Sequence, residues 1–385
     1  MAGKGIAAEG LRIDWSALMR FKRTFTDSVP QSNERWLAES GIGTFHGAAR
    51  FTGPTTIAVG DQPLEARRIH VATGARPATL PIRGHEHLVD STAFLELEPL
   101  PQRILFIGGG YISFEFAHVA ARAGAQVTIL HRGPRPLKQF DPDLVELLVK
   151  RTRELGVVLH LNAVVNSVEP AGGALRVQAS TPQGPRALEV EQVVHGAGRV
   201  PELDGMRLEE GNVAYGPRGV AVNEYLQSTT NPAVYAAGDC ADTPGLPLTP
   251  VAAHEGRIVA ANLLDGNTTR ASYPPMPSLV FTVPALASVG LGEAEAKAQG
   301  LKFSTRFEET GDWYSTRRLG ESLSAYKVLV EEGTGRILGA HLLGPNAEEA
   351  INVFTLAIKA GLTARDIKDT IFGYPTFSSD LSYMV

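Results

Sequence analysis

The stretch Ile104-Leu-Phe-Ile-Gly-Gly-Gly-Tyr-Ile-Ser-Phe-Glu-Phe-Ala117 restricts the possible folds of this chain more than any other segment. An apolar run bounded by Pro101 leads into Gly108, and from Tyr111 to Ala125 apolar positions recur at helical spacing as far as Gly124. Gln126-Val-Thr-Ile-Leu-His131 then supplies a second β-branched run. Strand, glycine turn, helix, strand is the unit of a nucleotide-binding α/β fold. Gly108 permits the tight bend, Gly110 lets the backbone approach a pyrophosphate, and Ser113 is small enough to replace the third glycine at the helix–strand contact. Gly109, Tyr111 and Ile112 complete the turn and open a helix whose unpaired N–H groups and positive dipole end favour phosphate charge. A glycine pattern alone also fits a plain turn; its place between two strands carries the nucleotide reading.

About a hundred residues precede this unit, and they contain a similar run, Arg68-Ile-His-Val-Ala-Thr-Gly-Ala-Arg-Pro77, read as a strand whose end faces a ligand. Ala233-Val-Tyr-Ala-Ala-Gly-Asp239 ends in the same way and leads through a Pro/Gly-rich loop into a helical pattern from Val251 to Leu264. After the stiff Pro274, Pro275 and Pro277 link, Tyr326–Val330 and Ile337–Leu343 alternate as antiparallel strands, and a helix is expected over Ala347–Gly361. With 385 residues the chain has room for two or three cores.

Composition narrows the partners. A formal net charge of -5 with no basic stripe argues against nucleic acid and against a polybasic membrane anchor. No apolar run is long enough to span a bilayer and the first residues lack a signal-peptide core, so a cytoplasmic protein is expected. One cysteine, Cys240, rules out an intrachain disulfide or a cysteine-pair redox centre in this chain; it reads as a small packing residue. The 10 histidines show no metal-binding spacing.

The residue after the second strand bears on the choice of nucleotide. An acidic residue about 20 positions past the glycine turn would hold the ribose hydroxyls of NAD. His131 and Arg132 stand there instead, so a 2′-phosphate could pair with Arg132 and Lys138, which favours NADPH over NADH; the alternative is that both are solvated surface cations. Three further turns converge on a second nucleotide: Ala72-Thr73-Gly74, Gly238-Asp239, and the helix start Leu248-Thr249-Pro250-Val251-Ala252. Asp239 at a strand's carboxyl end can accept hydrogen bonds from polyol hydroxyls, or serve as an ordinary turn cap.

Val71-Ala-Thr-Gly, Gly108-Gly-Gly-Tyr-Ile, Gly198-Arg-Val-Pro, Tyr235-Ala-Ala-Gly-Asp, Leu248-Thr-Pro-Val-Ala, Phe281-Thr-Val-Pro and Gly335-Arg-Ile-Leu-Gly-Ala-His together resemble the class I pyridine nucleotide-disulfide oxidoreductases, the family of glutathione reductase, dihydrolipoamide dehydrogenase and mercuric reductase. The match runs through essentially the whole chain in the family's order. It implies an α/β fold of two interleaved Rossmann-like domains and a C-terminal α+β dimerisation domain. Residues 1–98 and 222–268 would form the FAD-binding domain without its first βαβ unit, 99–221 the NAD(P)-binding domain and 269–385 the dimer interface. By position Asp239 would meet the flavin's ribityl chain, and the helix start at Leu248 to Ala252 would face the flavin ring, its dipole stabilising negative charge there. Gly47 and Ala48 match the segment passing the FAD adenine, Gly198 a turn beside the nicotinamide, and Glu115 an acid close to the flavin that pairs with a lysine after the redox cysteines; that lysine is absent here.

Departures from the family are equally informative. Its members open with a βαβ unit for the FAD pyrophosphate and a helix bearing two cysteines, and this sequence starts after both. A parallel sheet without its central strands exposes costly backbone and apolar surface, so an incomplete sequence, with translation assigned to an internal Met1, is the expectation, as is weak FAD retention. Glutathione and lipoamide enzymes carry a His and a Glu near the C-terminus where this chain has Tyr374 and, one position beyond, Asp380. Tyrosine is a poor base at neutral pH, so that type of proton transfer is not expected; Tyr374 could equally pack in the dimer interface. Mercury is disfavoured because the C-terminal cysteine pair of mercuric reductases is missing. The expected function is a homodimeric, FAD-dependent NADPH oxidoreductase passing a hydride to flavin and on to a disulfide or small-molecule acceptor. A non-catalytic NADPH-binding or dimerising remnant, and a thiol-independent quinone reductase or oxidase, remain open beside it.

Overall fold

The computed structural model describes residues 5, 7 and 9–385. The chain path interleaves two compact units: one combines the N-terminal stretch through residue 19 with 79–197 and 274–385, the other combines 20–78 with 198–273.

In the first unit the strands Arg103–Ile107, Gln126–Leu130 and Val158–His160 lie parallel, with Gln192–His195 on the outer side of Arg103–Ile107. Every residue of Arg103–Ile107 after the first is buried, as expected of a parallel strand covered on both faces. The helix Tyr111–Arg122 buries Phe114, Ala117 and Ala120 on one face, and the chain turns away from it at Gly124, with φ +98°. Asp141 caps the helix Pro142–Glu154 by accepting from the N–H groups of Asp143 and Leu144 at 3.0 and 3.4 Å. An antiparallel meander, Val164–Ala171, Ala174–Thr181 and Gly184–Val190, covers one face. Its Val165, Val177, Ala179 and Val190 pack with Leu105, Ile107 and Val193 of the parallel sheet. The segment 274–385 supplies a five-stranded antiparallel sheet in the order Ser278–Val280, Ala285–Gly290, Ile337–Gly344, Ala325–Glu331, Phe303–Glu309, with the helix Ala347–Ala360 packed on it. Both of the alternating runs read from the sequence are therefore neighbouring antiparallel strands.

The second unit is built on a parallel pair, Ile69–Val71 with Val234–Ala236. The strand read from residue 68 onward ends, as expected, in a turn at Ala72-Thr73-Gly74, where Gly74 adopts φ +70°; beyond it Ala75–Pro77 pairs antiparallel with Arg199–Pro201. Phe51, Ile69, Val71, Val220, Val234 and Cys240 share one core. Cys240 is fully buried with its thiol against the carbonyls of Val71 and Ala237, so it packs as expected. The helix Thr249–Asp265 follows the Pro/Gly-rich loop. Among the described residues no helix is long and apolar enough to cross a membrane, and no group of His, Cys, Asp and Glu could hold a metal ion.

Candidate functional site

The glycine turn of the first unit is constrained from below and open above. Gly108 has φ +115°, and a Cβ on it would lie 2.3 Å from the carbonyl oxygen of Gly196, so only glycine fits. A Cβ on Gly109 would lie 2.7 Å from the His131 ring. On Gly110 it would meet nothing nearer than 3.9 Å, leaving this face clear for a ligand's close approach. The 12-residue helix Tyr111–Arg122 that follows has no side-chain cap and no acid in its first turn. Ser113 is buried beneath the turn, and its hydroxyl has no partner among the described residues. Uncapped N–H groups and a clear glycine face suit a pyrophosphate.

Beside the turn, Leu137 donates to the Gly109 carbonyl at 2.8 Å, holding the loop that carries Arg132 and Lys138. Both cations are exposed and form no ion pair among the described residues. His131 is tucked inward, its Nε2 at 3.0 Å from the Arg135 carbonyl. Burial pushes its pKa down, with Lys138 and Arg132 acting in the same direction. His160, whose carbonyl accepts from the His131 N–H, is likewise lowered by burial and by the Arg186 charge. The loop after the strand Gln126–Leu130 thus presents two exposed cations, Arg132 and Lys138, and neither His131 nor Arg132, the first residues past the strand, is acidic.

In the second unit His70, Ala72, Gly74, Gly238, Asp239, Thr249, Ala252 and Gly256 line one cavity of about 340 Å³, within the range of roughly 300–1,000 Å³ for small-molecule sites. The Asp239 carboxylate lines this cavity without a protein hydrogen-bond or ion-pair partner among the described residues. The 17-residue helix Thr249–Asp265 points an uncapped N-terminus at the same place, again with no acid in its first turn. Ala252 and Gly256, one turn apart, leave its near face without bulky side chains. A free carboxylate for hydroxyls, a smooth helix face and a positive helix end suit a nucleotide with a polyol chain. Thr73, Leu248, Pro250 and Val251 flank the cavity in sequence and do not line it. Gly47 and Ala48 lie elsewhere, at the start of the strand Ala49–Gly53, where a Gly47 Cβ would press on Val59. Gly198, at φ +121°, precedes the strand Arg199–Pro201, and Arg199 donates to the Ala75 carbonyl.

Glu115, Tyr374 and Asp380, the residues that stand at or beside the family's proton-handling positions, each have different surroundings. Glu115 accepts from the Phe281 N–H at 2.8 Å; burial raises its pKa and that hydrogen bond opposes the rise. Tyr374 is 81 % exposed. Asp380 is bound to the Ser315 hydroxyl, and burial raises its pKa against Ser315 and Arg318. No hydrogen bond joins Tyr374 to Asp380 among the described residues. Sequence reasoning missed His70 as a cavity wall, although its place between buried Ile69 and Val71 in a strand turns it to the opposite face. It also missed Glu255, whose burial follows from contacts that no local pattern reveals.

Comparison with known proteins identifies the family. The profile described as pyridine nucleotide-disulphide oxidoreductase matches residues 8–256, and that of the family's dimerisation domain matches 276–385. The chain belongs to the pyridine nucleotide-disulphide oxidoreductase family. Family members are FAD-dependent enzymes with NAD(P)H as electron donor. The chain is 34 % identical to the glutathione reductase of Burkholderia cepacia over 384 residues, covering 98 % of this chain and 83 % of that one. It is 31 % identical to the mercuric reductase of Bacillus cereus over 387 residues, 99 % of this chain but only 60 % of that one. Among solved structures, the HOCl-induced flavoprotein disulfide reductase RclA from Escherichia coli superposes with a TM-score of 0.89 at 27 % identity, covering 97 % of this chain and 86 % of that one. The expected family and fold class are thereby established.

Proposed function

We propose that this chain is an FAD-dependent oxidoreductase that takes its electrons from NADPH and acts as a homodimer. The observation that carries the flavin assignment is the one cavity shared by Gly74 with Asp239 and Thr249, which lie far along the sequence from it. In this reading FAD, when bound, accepts a hydride equivalent and passes electrons to a disulfide or other acceptor. Asp239 accepts hydrogen bonds from the ribityl hydroxyls, the Thr249–Asp265 helix end offsets negative charge that develops on the ring, and Ala252 and Gly256 allow close approach. The Gly108–Gly110 turn holds the pyrophosphate of the nicotinamide nucleotide, while Arg132 and Lys138 take the 2′-phosphate. Glu115 and Asp380 are assigned to proton handling in this reading. Support for dimerisation comes from the matched dimerisation domain and from its solvent-facing Leu356, Ile371 and Tyr374, which are 65 %, 98 % and 81 % exposed.

A thiol-independent reaction, reduction of a quinone or of oxygen, is the second reading. It is favoured by Cys240, the one cysteine of the sequence, being wholly buried with no route for its thiol to reach an acceptor. NADPH-driven reduction of an artificial dye, with and without added FAD, tests the proposal. FAD-dependent turnover is expected, and nucleotide binding without turnover would reduce the chain to a binding module. Arg132→Glu should lower NADPH affinity relative to NADH by roughly 10- to 100-fold, the worth of one charge-assisted hydrogen bond; an unchanged ratio overturns the 2′-phosphate assignment.

A further inference from the structure

Behind the cavity wall sits a carboxylate that no motif accounts for. Glu255 belongs to the helix Thr249–Asp265, between the cavity-lining positions Ala252 and Gly256, yet turns away from the cavity and is 1 % exposed. Its two oxygens receive three hydrogen bonds. The Gly238 N–H donates to Oε2 at 2.6 Å, and the Thr243 and Tyr273 hydroxyls donate to Oε1 at 2.6 and 2.7 Å. Gly245 closes over the same atom, since a Cβ there would lie 2.8 Å from Oε1. Among the described residues no lysine or arginine pairs with Glu255.

Gly238 is the pivot of this arrangement. It stands at φ +72° immediately before Asp239, and a Cβ on it would come within 3.0 Å of Ala252. Its N–H points into the protein at the place where the strand Val234–Ala236 gives way to the turn. Left without an acceptor, a buried N–H would drive the turn to re-form toward water. Glu255 thus fixes the peptide that aims Asp239.

We infer that Glu255 is a positioning residue for the flavin nucleotide: its carboxylate locks the Gly238 peptide so that the Asp239 carboxylate stands ready for the ribityl hydroxyls. This rests on the reading that the cavity takes FAD. Glutamine can replace the carboxylate here, because its carbonyl accepts from Gly238 while its amide donates to the Thr243 and Tyr273 oxygens, which act as donors or acceptors alike. Alanine cannot. The other two partners serve as controls, since Thr243→Val and Tyr273→Phe each remove a hydroxyl and leave the Gly238 bond in place.

The test is titration of the full chain with FAD, followed by quenching of flavin fluorescence, with NADPH affinity and thermal unfolding measured on the same samples. Glu255→Ala should weaken FAD binding by roughly 10- to 100-fold with NADPH affinity unchanged, and Glu255→Gln should stay within about threefold of the parent. Thr243→Val and Tyr273→Phe should lower the unfolding temperature while leaving FAD affinity near that of the parent. Equal FAD affinity in Glu255→Ala and the parent overturns the inference. So does a loss in Thr243→Val and Tyr273→Phe as large as that in Glu255→Ala, which would make Glu255 a general strut. Failure of the parent chain itself to bind FAD is a separate result and overturns the flavin reading of the cavity.

Discussion

Lys327 offers a sharp test of how the loop carrying Arg132 and Lys138 is supported. Its side chain is 3 % exposed, and its Nζ contacts Asp141 at 2.9 Å, Glu293 at 3.4 Å and the Asp143 carboxylate. Burial alone would lower the lysine's pKa, but the hydrogen bonds to Asp143 and Asp141 more than reverse this and raise it. The three acids differ in their dependence on the cation. Asp143 is 52 % exposed and Glu293 32 %, and Glu293 also pairs with Lys297 at 3.1 Å, so water and Lys297 can take over their charges. Asp141 is 2 % exposed, and its other oxygen is engaged in capping the helix Pro142–Glu154. Replacing Lys327 by Met therefore strands one buried carboxylate. Such an unpaired buried charge costs about 3–5 kcal/mol, or a fall in unfolding temperature of roughly 2–4 °C per kcal/mol. Asp143→Asn, at a half-solvated site, should cost below about 1 kcal/mol. Urea unfolding of Lys327→Met, Asp141→Asn, Asp143→Asn and the Lys327→Met/Asp141→Asn pair is the assay. The double variant should recover part of the loss, because it removes the stranded charge. A Lys327→Met cost no larger than that of Asp143→Asn would refute the reasoning.

Three further outcomes follow from the geometry. Gly110→Ala should leave stability nearly unchanged, since the new methyl meets no protein atom closer than 3.9 Å, yet lower NADPH affinity about tenfold or more by blocking the pyrophosphate. Unchanged affinity in a nicotinamide fluorescence titration would contradict the assignment. Gly108→Ala, with its Cβ 2.3 Å from a carbonyl oxygen and φ +115°, should instead destabilise the fold itself by roughly 1–3 kcal/mol in a thermal melt. His118 is held neutral by burial and by Arg122 and Arg151, which lower its pKa from 6.5 to about 3. The unfolded chain gains a proton as pH falls below 6.5 while the folded chain does not, so stability present above that pH is lost on acidification toward 3. Between pH 6 and 4 the loss from this group should be about 2–3 kcal/mol, and the pH slope of a His118→Asn variant in calorimetry should be shallower by that amount; identical slopes would discount the histidine.

Much of the architecture could be read from local pattern. The strand Arg103–Ile107, the helix Tyr111–Arg122 and the strand Gln126–Leu130 fall where periodicity and the glycine turn place them, because a strand covered on both faces and an amphipathic helix each leave a short-range signature. The helices Thr249–Asp265 and Ala347–Ala360 are found within a residue or two of expectation for the same reason. What escaped notice is non-local. The meander over residues 164–190 is polar on its outer face and carries no motif, so only its packing on Leu105 and Val193 gives it away. The turn at Gly74 was legible, but the pairing of Ala75–Pro77 with Arg199–Pro201 beyond it was not, because the partner strand lies far along the chain. Gly74, Asp239 and Thr249 were grouped by motif order, whereas Glu255, on the far side of its helix, and Lys327, about 185 residues from its nearest carboxylates along the chain, are defined by tertiary contacts alone.

The antiparallel pair Ala75–Pro77 and Arg199–Pro201, extended by the Ala78 N–H donating to the Gly198 carbonyl at 3.1 Å, acts as a clasp at the neck of the long excursion through residues 79–197. Because that clasp brings departure and return to one doorway, the excursion adds little closure entropy to the host unit however long it grows. The clasp keeps Ile69–Val71 and Val234–Ala236 in register, while the excursion is itself anchored to residues 274–385, whose Val280, Leu286 and Leu343 share a core with Ile104, Phe106 and Phe114. Whatever replaced the excursion would have to reproduce that second set of contacts as well as meet at the doorway.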